Sequence, residues 1–295
     1  MALGADLKRE FSALAKGKRK EIDLFRAFIN AFNSLGATSI SKEYHGNSYQ
    51  VTFNQSRGAG RPQPRCELCD VVIIQYPKGN AQSARITFNQ AKVTDKRHFS
   101  TPPRKTAPYS FRANLEQWDL LAHRPIISSA VKKFKPAPNL LSDALLPSVG
   151  SFGVFYPTTT NFDFAYFVAK ELLPVNNNKS ASGTLYMSCP MHSTHRISGY
   201  PETTGCSCFI EFGKALDEGL IGSPIQPMLN NNTQKQVRSW LSDLLSDLHA
   251  SNPASAIPKE LASGLELNID ESIAQKASTA KRPSIRAVIA IKTEG

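Results

Sequence analysis

The chain has 295 residues, 41% of them hydrophobic, and carries 35 Lys and Arg against 24 Asp and Glu, a formal charge of +11. That length and apolar content exclude a wholly disordered chain and are enough for one large or two modest domains with a proper core. The basic excess favours a polyanionic partner such as nucleic acid.

The N-terminal stretch MALGADLKREF lacks the apolar core of a leader, and no run reaches the roughly 18 apolar residues of a membrane helix, so a cytoplasmic protein with no membrane partner is expected. Residues 5–20 are helix-compatible and basic, with Lys8, Arg9, Lys16, Lys18, Arg19 and Lys20, which suits either an arm that touches phosphate or a solvated helix face. Residues 21–35 carry two apolar stripes, Ile22, Phe25, Ile29, Phe32 and Leu24, Phe28, Ala31, Leu35, so the spacing predicts a largely buried helix that Gly36 ends. Residues 38–56 suggest a hairpin or two short strands, with Tyr49, Val51 and Phe53 alternating against polar neighbours. The loop over residues 57–65 combines Arg57, Arg61 and Arg65 with glycines, but has no Lys-Ser or Lys-Thr of a P-loop; it reads as a basic loop able to grip a phosphate backbone or as a plain surface loop.

The next stretch, CELCDVVIIQYPKGNAQSARITFNQAKV, is the chemical centre of the sequence. Residues 68–74 are dense in Val and Ile and short enough for a buried strand with Asp70 near its start. Tyr-Pro-Lys-Gly-Asn is a turn, and residues 84–93 place Ile86, Phe88, Gln90 and Lys92 on one side of a second strand. A hairpin therefore gathers an acid, an amide and an amine. The pair Cys66 and Cys69 has metal-ligand spacing, but Cys69 faces away from Asp70 in a strand, and core packing explains it better. Beyond the hairpin, Lys96, Arg97, His98, Arg104 and Lys105 extend the basic character among helix-breaking prolines.

Residues 111–123 predict a helix with Leu115, Trp118, Leu121 and Ala122 inward. SFGVFYP and FDFAYFVAKELL then suggest a strand followed by a helix or a second strand, and GTLYMSC a short strand. Cys189, His192, His195, Cys206 and Cys208 fall close together, yet their spacings, Cys-x2-His and Cys-x-Cys, are not those of a structural zinc site, and reduced thiols are expected throughout. Residues 209–220 read as a helix and residues 233–249 as the clearest amphipathic helix, with Val237, Trp240, Leu241, Leu244 and Leu248 on one face. SNPASAIPKELASG reads as a linker, and residues 285–291 as a closing strand.

A carboxylate at Asp70 and the amide oxygen of Gln90 are hard donors for a divalent cation, and Lys92, one pleat away, can stabilise charge that builds on a phosphodiester. With its leading helix, its Asp at the start of an apolar strand and its Gln90-Ala-Lys92 strand, the chain resembles the PD-(D/E)xK nuclease superfamily over residues 20–125, in a Gln-x-Lys variant. The resemblance implies an α/β fold of restriction-endonuclease type, a mixed central sheet flanked by helices. With it goes an organisation of nuclease-like core over residues 1–135, a largely helical second half over 136–249 packed on the core, and a linker and strand over 250–295. It makes Asp70 and Gln90 the ligands of Mg2+ or Mn2+ and Lys92 the catalytic lysine. It also calls for a Glu on the leading helix, for which Glu21 is the candidate, with Glu10 and Glu43 behind it. Because Gln90 stands where a second carboxylate is usual, Glu67 is the nearest acid that could contribute. Arg57, Arg61, Arg65, Lys96 and Arg97 are the expected nucleic-acid contacts. The expected function is a metal-dependent DNA endonuclease, a restriction or anti-phage effector acting alone, as a homo-oligomer or with a partner protein; the alternative is a catalytically silent nucleic-acid-binding or assembly protein on the same fold. A buried salt bridge between Asp70 and Lys92 is the plain structural explanation of the same residues.

Overall fold

The structure is a computed structural model that describes residues 3–41, 50–54, 62–96, 109–132, 135–175, 180–230, 235–252, 257–269, 285 and 287–294. Among them are helices α1 (Leu3–Leu14), α2 (Glu21–Ser34), α3 (Leu115–His123), α4 (Phe209–Asp217), α5 (Gln226–Leu229), α6 (Lys235–Ser251) and α7 (Ile257–Gly264). The strands are β1 (Thr38–Ser41), β2 (Gln50–Phe53), β3 (Arg65–Glu67), β4 (Val71–Pro77), β5 (Arg85–Val93), β6 (Ser110–Asn114), β7 (Ile127–Ser129) and β8 (Gly150–Pro157). They continue as β9 (Phe162–Val168), β10 (Leu172–Pro174), β11 (Ser182–Met187), β12 (Thr194–Ile197), β13 (Tyr200–Thr203), β14 (Gly205–Cys206), β15 (Ser223–Pro224) and β16 (Ala287–Thr293). None of the described helices is long and apolar enough to cross a membrane.

The fold is mixed α/β around a central sheet in the order β1-β16-β4-β5-β8-β9-β14, with β15 pairing onto β5. The sheet is mixed: β16 is parallel to β4 and β5 is parallel to β8, whereas β4 and β5 form the expected antiparallel hairpin with Val71 opposite Asn89 and Ile74 opposite Ile86. Side-chain alternation gives it two buried faces. One face carries Val72, Ile74, Tyr76, Ile86, Phe88, Phe152 and Val154, packed with residues of α3, α6 and α7 such as Trp118, Trp240 and Leu261. The other carries Val71, Ile73, Ala91, Phe155 and Phe164, packed with α1, α2 and α4. On that second face Phe28 of α2 lies 5.0 Å from Phe164, which in turn lies 5.0 Å from Phe212 of α4; such aromatic pairs add about 0.5–1.5 kcal/mol each beyond their burial.

α1 reaches α4 by a backbone approach that only glycine permits. A Cβ on Gly213 would stand 2.3 Å from the Gly4 Cα, and neither helix backbone can yield locally. Gly213→Ala is therefore expected to destabilise the protein by about 2–3 kcal/mol, the scale of overpacked cores, read as a lower midpoint in urea unfolding; an unchanged midpoint would mean that α1 is not held this way.

Three expectations need correcting. The second half is not largely helical, because β8 to β15 all fall between residues 150 and 224. FDFAYFVAKELL takes the second of its two expected forms, a strand, as β9 and β10, because its apolar residues keep a period of two: Phe164, Tyr166 and Val168 face one cluster, Ala165 and Phe167 the other. The segment expected as a helix over 111–123 splits into β6 and α3, since the Asn114 side chain accepts the Glu116 N–H at 2.8 Å and caps the helix there. Within SNPASAIPKELASG, residues 257–264 are α7, opened by Pro258 in its first turn and buried through Leu261 and Ala262. The C-terminal strand β16 lies between β1 and β4, so one sheet takes strands from all three expected segments of the chain.

Candidate active site

Asp70 immediately precedes β4, at the point where its pairing with β5 ends. Its N–H donates to the Asn89 carbonyl at 3.0 Å, and its carbonyl accepts the Ala287 N–H of β16 at 3.0 Å, so three strands fix its backbone. Beyond that point the Ala91 N–H has lost its strand partner, and Asp70 Oδ2 accepts it at 2.9 Å. The same carboxylate oxygen accepts the Gln90 amide Nε2–H. Asp70 is 1% exposed and Gln90 2%. That leaves Gln90 Oε1 buried with no hydrogen-bond partner among the described residues, a state that costs about 1–3 kcal/mol for a neutral polar atom. Lys92, two residues further along β5 and half-buried, shares the face of Ile86, Phe88 and Gln90.

The hairpin thus brings Asp70 and Gln90 into direct contact and puts Lys92 on the same side. The oxygens present suit a hard divalent cation. Rotating the Gln90 amide by half a turn about its terminal torsion, a broad two-fold coordinate, replaces its Nε2 by Oε1 opposite Asp70, and two oxygens then face one point. Magnesium is commonly held by one or two protein oxygens, with water and substrate phosphate in the other positions, so the short donor set fits. Among the described residues no group of three His, Cys, Asp or Glu side chains could hold a metal by itself.

The supporting acids fall elsewhere. Glu21 opens α2, which packs on the opposite face of the sheet from Gln90 and Lys92, so the structure does not bring it to the hairpin site. Glu10 pairs with Arg9 at 3.1 Å in α1, and Glu43 lies outside the described residues. Glu67 ends β3 in the small sheet β3-β2-β7, opposite Gln50, and does not share the strand of Asp70. Of the expected nucleic-acid contacts, Arg65 is exposed on β3 beside Gln50, and Lys96 follows β5 and donates to Ser110 Oγ at 2.6 Å. Arg57, Arg61 and Arg97 lie outside the described residues.

Sequence reasoning passed over two carboxylates. Glu116 and Asp119 are buried on one side of α3, the helix that covers the same sheet face as Gln90. Asp119 Oδ1 meets His123 Nδ1 at 2.7 Å. Burial pushes the Cys66 thiol well above its ordinary range, and Glu116, Glu67 and Asp119 push it further; burial followed by Asp70 and Glu67 does the same to Cys69. An i, i+3 pair of acids inside an otherwise apolar helix was the available signal.

The cysteine and histidine group does not converge. His192 faces Glu211 at 3.2 Å and His195 faces Glu202 at 2.9 Å, while a second oxygen of Glu202 accepts the Ser148 N–H at 3.0 Å. Cys206 is buried, and its thiol is raised by desolvation. Cys66, Cys69 and Cys206 are therefore expected to escape a thiol reagent in the folded protein and to react only after unfolding, so native counting finds at most the half-buried Cys189 and Cys208. Because those three thiols hold their protons in the folded chain above the pH at which an unfolded thiol ionises, near 8.5, stability is complete below that pH and falls above it, by on the order of 1 kcal/mol per thiol at pH 9. Urea midpoints that do not fall between pH 7.5 and 9 would contradict this.

Comparison with protein-family models, with curated proteins and with solved structures finds no match for the chain.

Proposed function

We propose that the protein is a divalent-metal-dependent nuclease that hydrolyses phosphodiester bonds of DNA, with Asp70 and Gln90 as the oxygen donors and Lys92 as the catalytic amine. The observation that carries this reading is the buried, unpartnered Gln90 Oε1 beside a carboxylate that is itself fixed by the Ala91 N–H. A ligand role would give that oxygen the partner it lacks among the described residues. The resemblance to PD-(D/E)xK nucleases points the same way, and a restriction or anti-phage role is the setting such chemistry would serve.

Each side chain then has a task. Asp70, held by backbone from β5 and β16, supplies a negative oxygen that does not have to reorganise when substrate arrives. Gln90 supplies a neutral oxygen, so the site keeps less negative charge than a two-carboxylate site and repels the incoming phosphate less. Lys92 holds an ammonium on the same face, placed to stabilise a phosphate oxygen or orient the attacking water. A bound magnesium would supply Lewis acidity and a water of lowered pKa.

The test is supercoiled plasmid incubated with the purified chain in magnesium or manganese chloride and, in parallel, in EDTA. Nicked or linear product that appears with metal and disappears with EDTA is the expected result. A second reading, a catalytically silent nucleic-acid-binding protein, is favoured by the inward turn of the Gln90 Nε2–H onto Asp70, which closes the pair as an ordinary buried hydrogen bond. Intact plasmid in both conditions, with nucleic acid retained by the protein, would decide for it.

A further inference from the structure

At the same end of the sheet as Asp70, where β5 and β8 finish, lies a cavity of about 890 Å3. Five segments distant in sequence build it, Thr184 of β11 among them. Gly17, with φ +75°, ends the first helical segment and turns Lys18 and Arg19 to its rim; the residues after β5 bring Lys96; β6 brings Arg112. The turn between β8 and β9 closes it, held by Thr158 N–H to the Asn161 carbonyl at 2.7 Å and by Asn161 Nδ2–H to the Ser12 carbonyl at 2.6 Å.

Several cations elsewhere among the described residues are held by carboxylates or by backbone carbonyls, as Arg85, Arg124 and Arg238 are by carbonyls. Lys8, Arg9, Arg26, Lys214 and Lys292 each meet a carboxylate within 2.6–3.6 Å. Around the cavity, among the described residues, the Lys96 and Arg112 side chains donate to the hydroxyls of Ser110 and Ser182, and Lys18 and Arg19 have no ion pair. One acid, Asp95, lines the cavity, so its formal charge is 4 − 1 = +3. Four cations converging on a concave surface repel one another, and an anionic ligand relieves that. The threonines at 159 and 160 add hydroxyl donors suited to phosphate, the Thr158 hydroxyl being spent on the Asn161 carbonyl at 3.0 Å, and the half-buried Phe162 lines the same cavity.

We infer that this cavity binds a single-stranded segment of nucleic acid, with Lys18, Arg19, Lys96 and Arg112 on its phosphates and Phe162 against a base. The inference rests on the nuclease reading for its choice of polymer. Lys96 follows Lys92 by four residues, just past the end of β5, so the cavity adjoins the strand that carries the proposed catalytic amine. The volume is that of a small-ligand pocket, which admits individual splayed nucleotides and excludes a paired duplex. Cations that follow a backbone combined with a stacking ring are the means by which single strands are held without base-pair readout.

The experiment is fluorescence anisotropy with an end-labelled single-stranded oligonucleotide of mixed sequence, in EDTA so that nothing is cleaved. The double variant Lys18→Ala with Arg19→Ala is expected to bind at least tenfold more weakly and to lower the slope of log affinity against log salt by about two. Phe162→Ala should weaken binding at least fivefold with little change in slope, Lys214→Ala should change neither, and the same sequence as a duplex should bind at least tenfold more weakly than the single strand. A double variant that keeps its thermal midpoint and its affinity overturns the inference, as does equal affinity for duplex and single strand. The two readings fail separately: a chain that binds through the cavity and never cleaves leaves the inference standing and sinks the nuclease, whereas a chain that cleaves with unaltered affinity in the double variant sinks the cavity alone.

Discussion

Asp70→Asn is expected to lower metal-dependent cleavage by at least about 10³-fold, equivalent to about 4 kcal/mol of transition-state stabilisation, in a protein that stays folded. The asparagine keeps the volume of the side chain and an oxygen for the Ala91 N–H, so the 2.9 Å bond that closes the end of β5 survives. What it loses is the negative charge, the only formal charge the described site offers a cation alongside the neutral Gln90. Alanine is the poorer test, because Asp70 is 1% exposed and truncation would strand the Ala91 and Gln90 donors at about 1–3 kcal/mol each, mixing stability with chemistry. Lys92→Ala should lose about 10²–10³-fold, the usual scale for one preorganised electrostatic group. The two losses should not add, since both residues serve one transition state. Cleavage that persists in both variants would remove the site from the hairpin altogether.

The hairpin itself was legible because its information is local. Ile86, Phe88, Gln90 and Lys92 keep a period of two, and the structure pairs β4 with β5 in the register that this alternation requires. The side of the sheet on which a helix packs is not local information. The stripe of Phe25, Phe28 and Phe32 announces a buried helix, but only the packing of α2 on the Ala91 and Phe164 face shows Glu21 to be on the far side from Gln90. The insertion of β16 beside β4 is likewise invisible from residues 285–291, although it is the Ala287 N–H that steadies Asp70. Glu116 and Asp119 were hidden for another reason: α3 is buried all round, so its polar positions do not mark a solvent face as they do in an amphipathic helix. Lys18 read as part of a basic arm or a solvated helix face and Lys96 as a nucleic-acid contact, but their convergence with Arg112 on one cavity depends on the strand order, which no single segment encodes.

Gln90→Glu should turn the least usual feature of the site into a measurable switch. The new carboxylate would stand against Asp70 at a position 2% exposed, and two buried like charges cannot both ionise cheaply. One carboxyl is then held above the ordinary value near 4.3, so the variant's stability is intact where the unfolded carboxyl is protonated and is lost as pH rises through the raised value, a deficit on the order of 3 kcal/mol at neutral pH. Magnesium should reverse it: a cation between the two carboxylates replaces their repulsion by attraction, and saturation at 100 times its dissociation constant restores about 2.7 kcal/mol. The thermal midpoint of the variant should therefore fall in EDTA and recover in magnesium, with half-maximal cleavage at a magnesium concentration at least tenfold lower than the unmodified chain needs. Loss of stability that magnesium does not reverse would show that Asp70 and Gln90 form a closed structural pair with no room for a cation, and the binding-only reading would then account for the buried hydrogen bond between them.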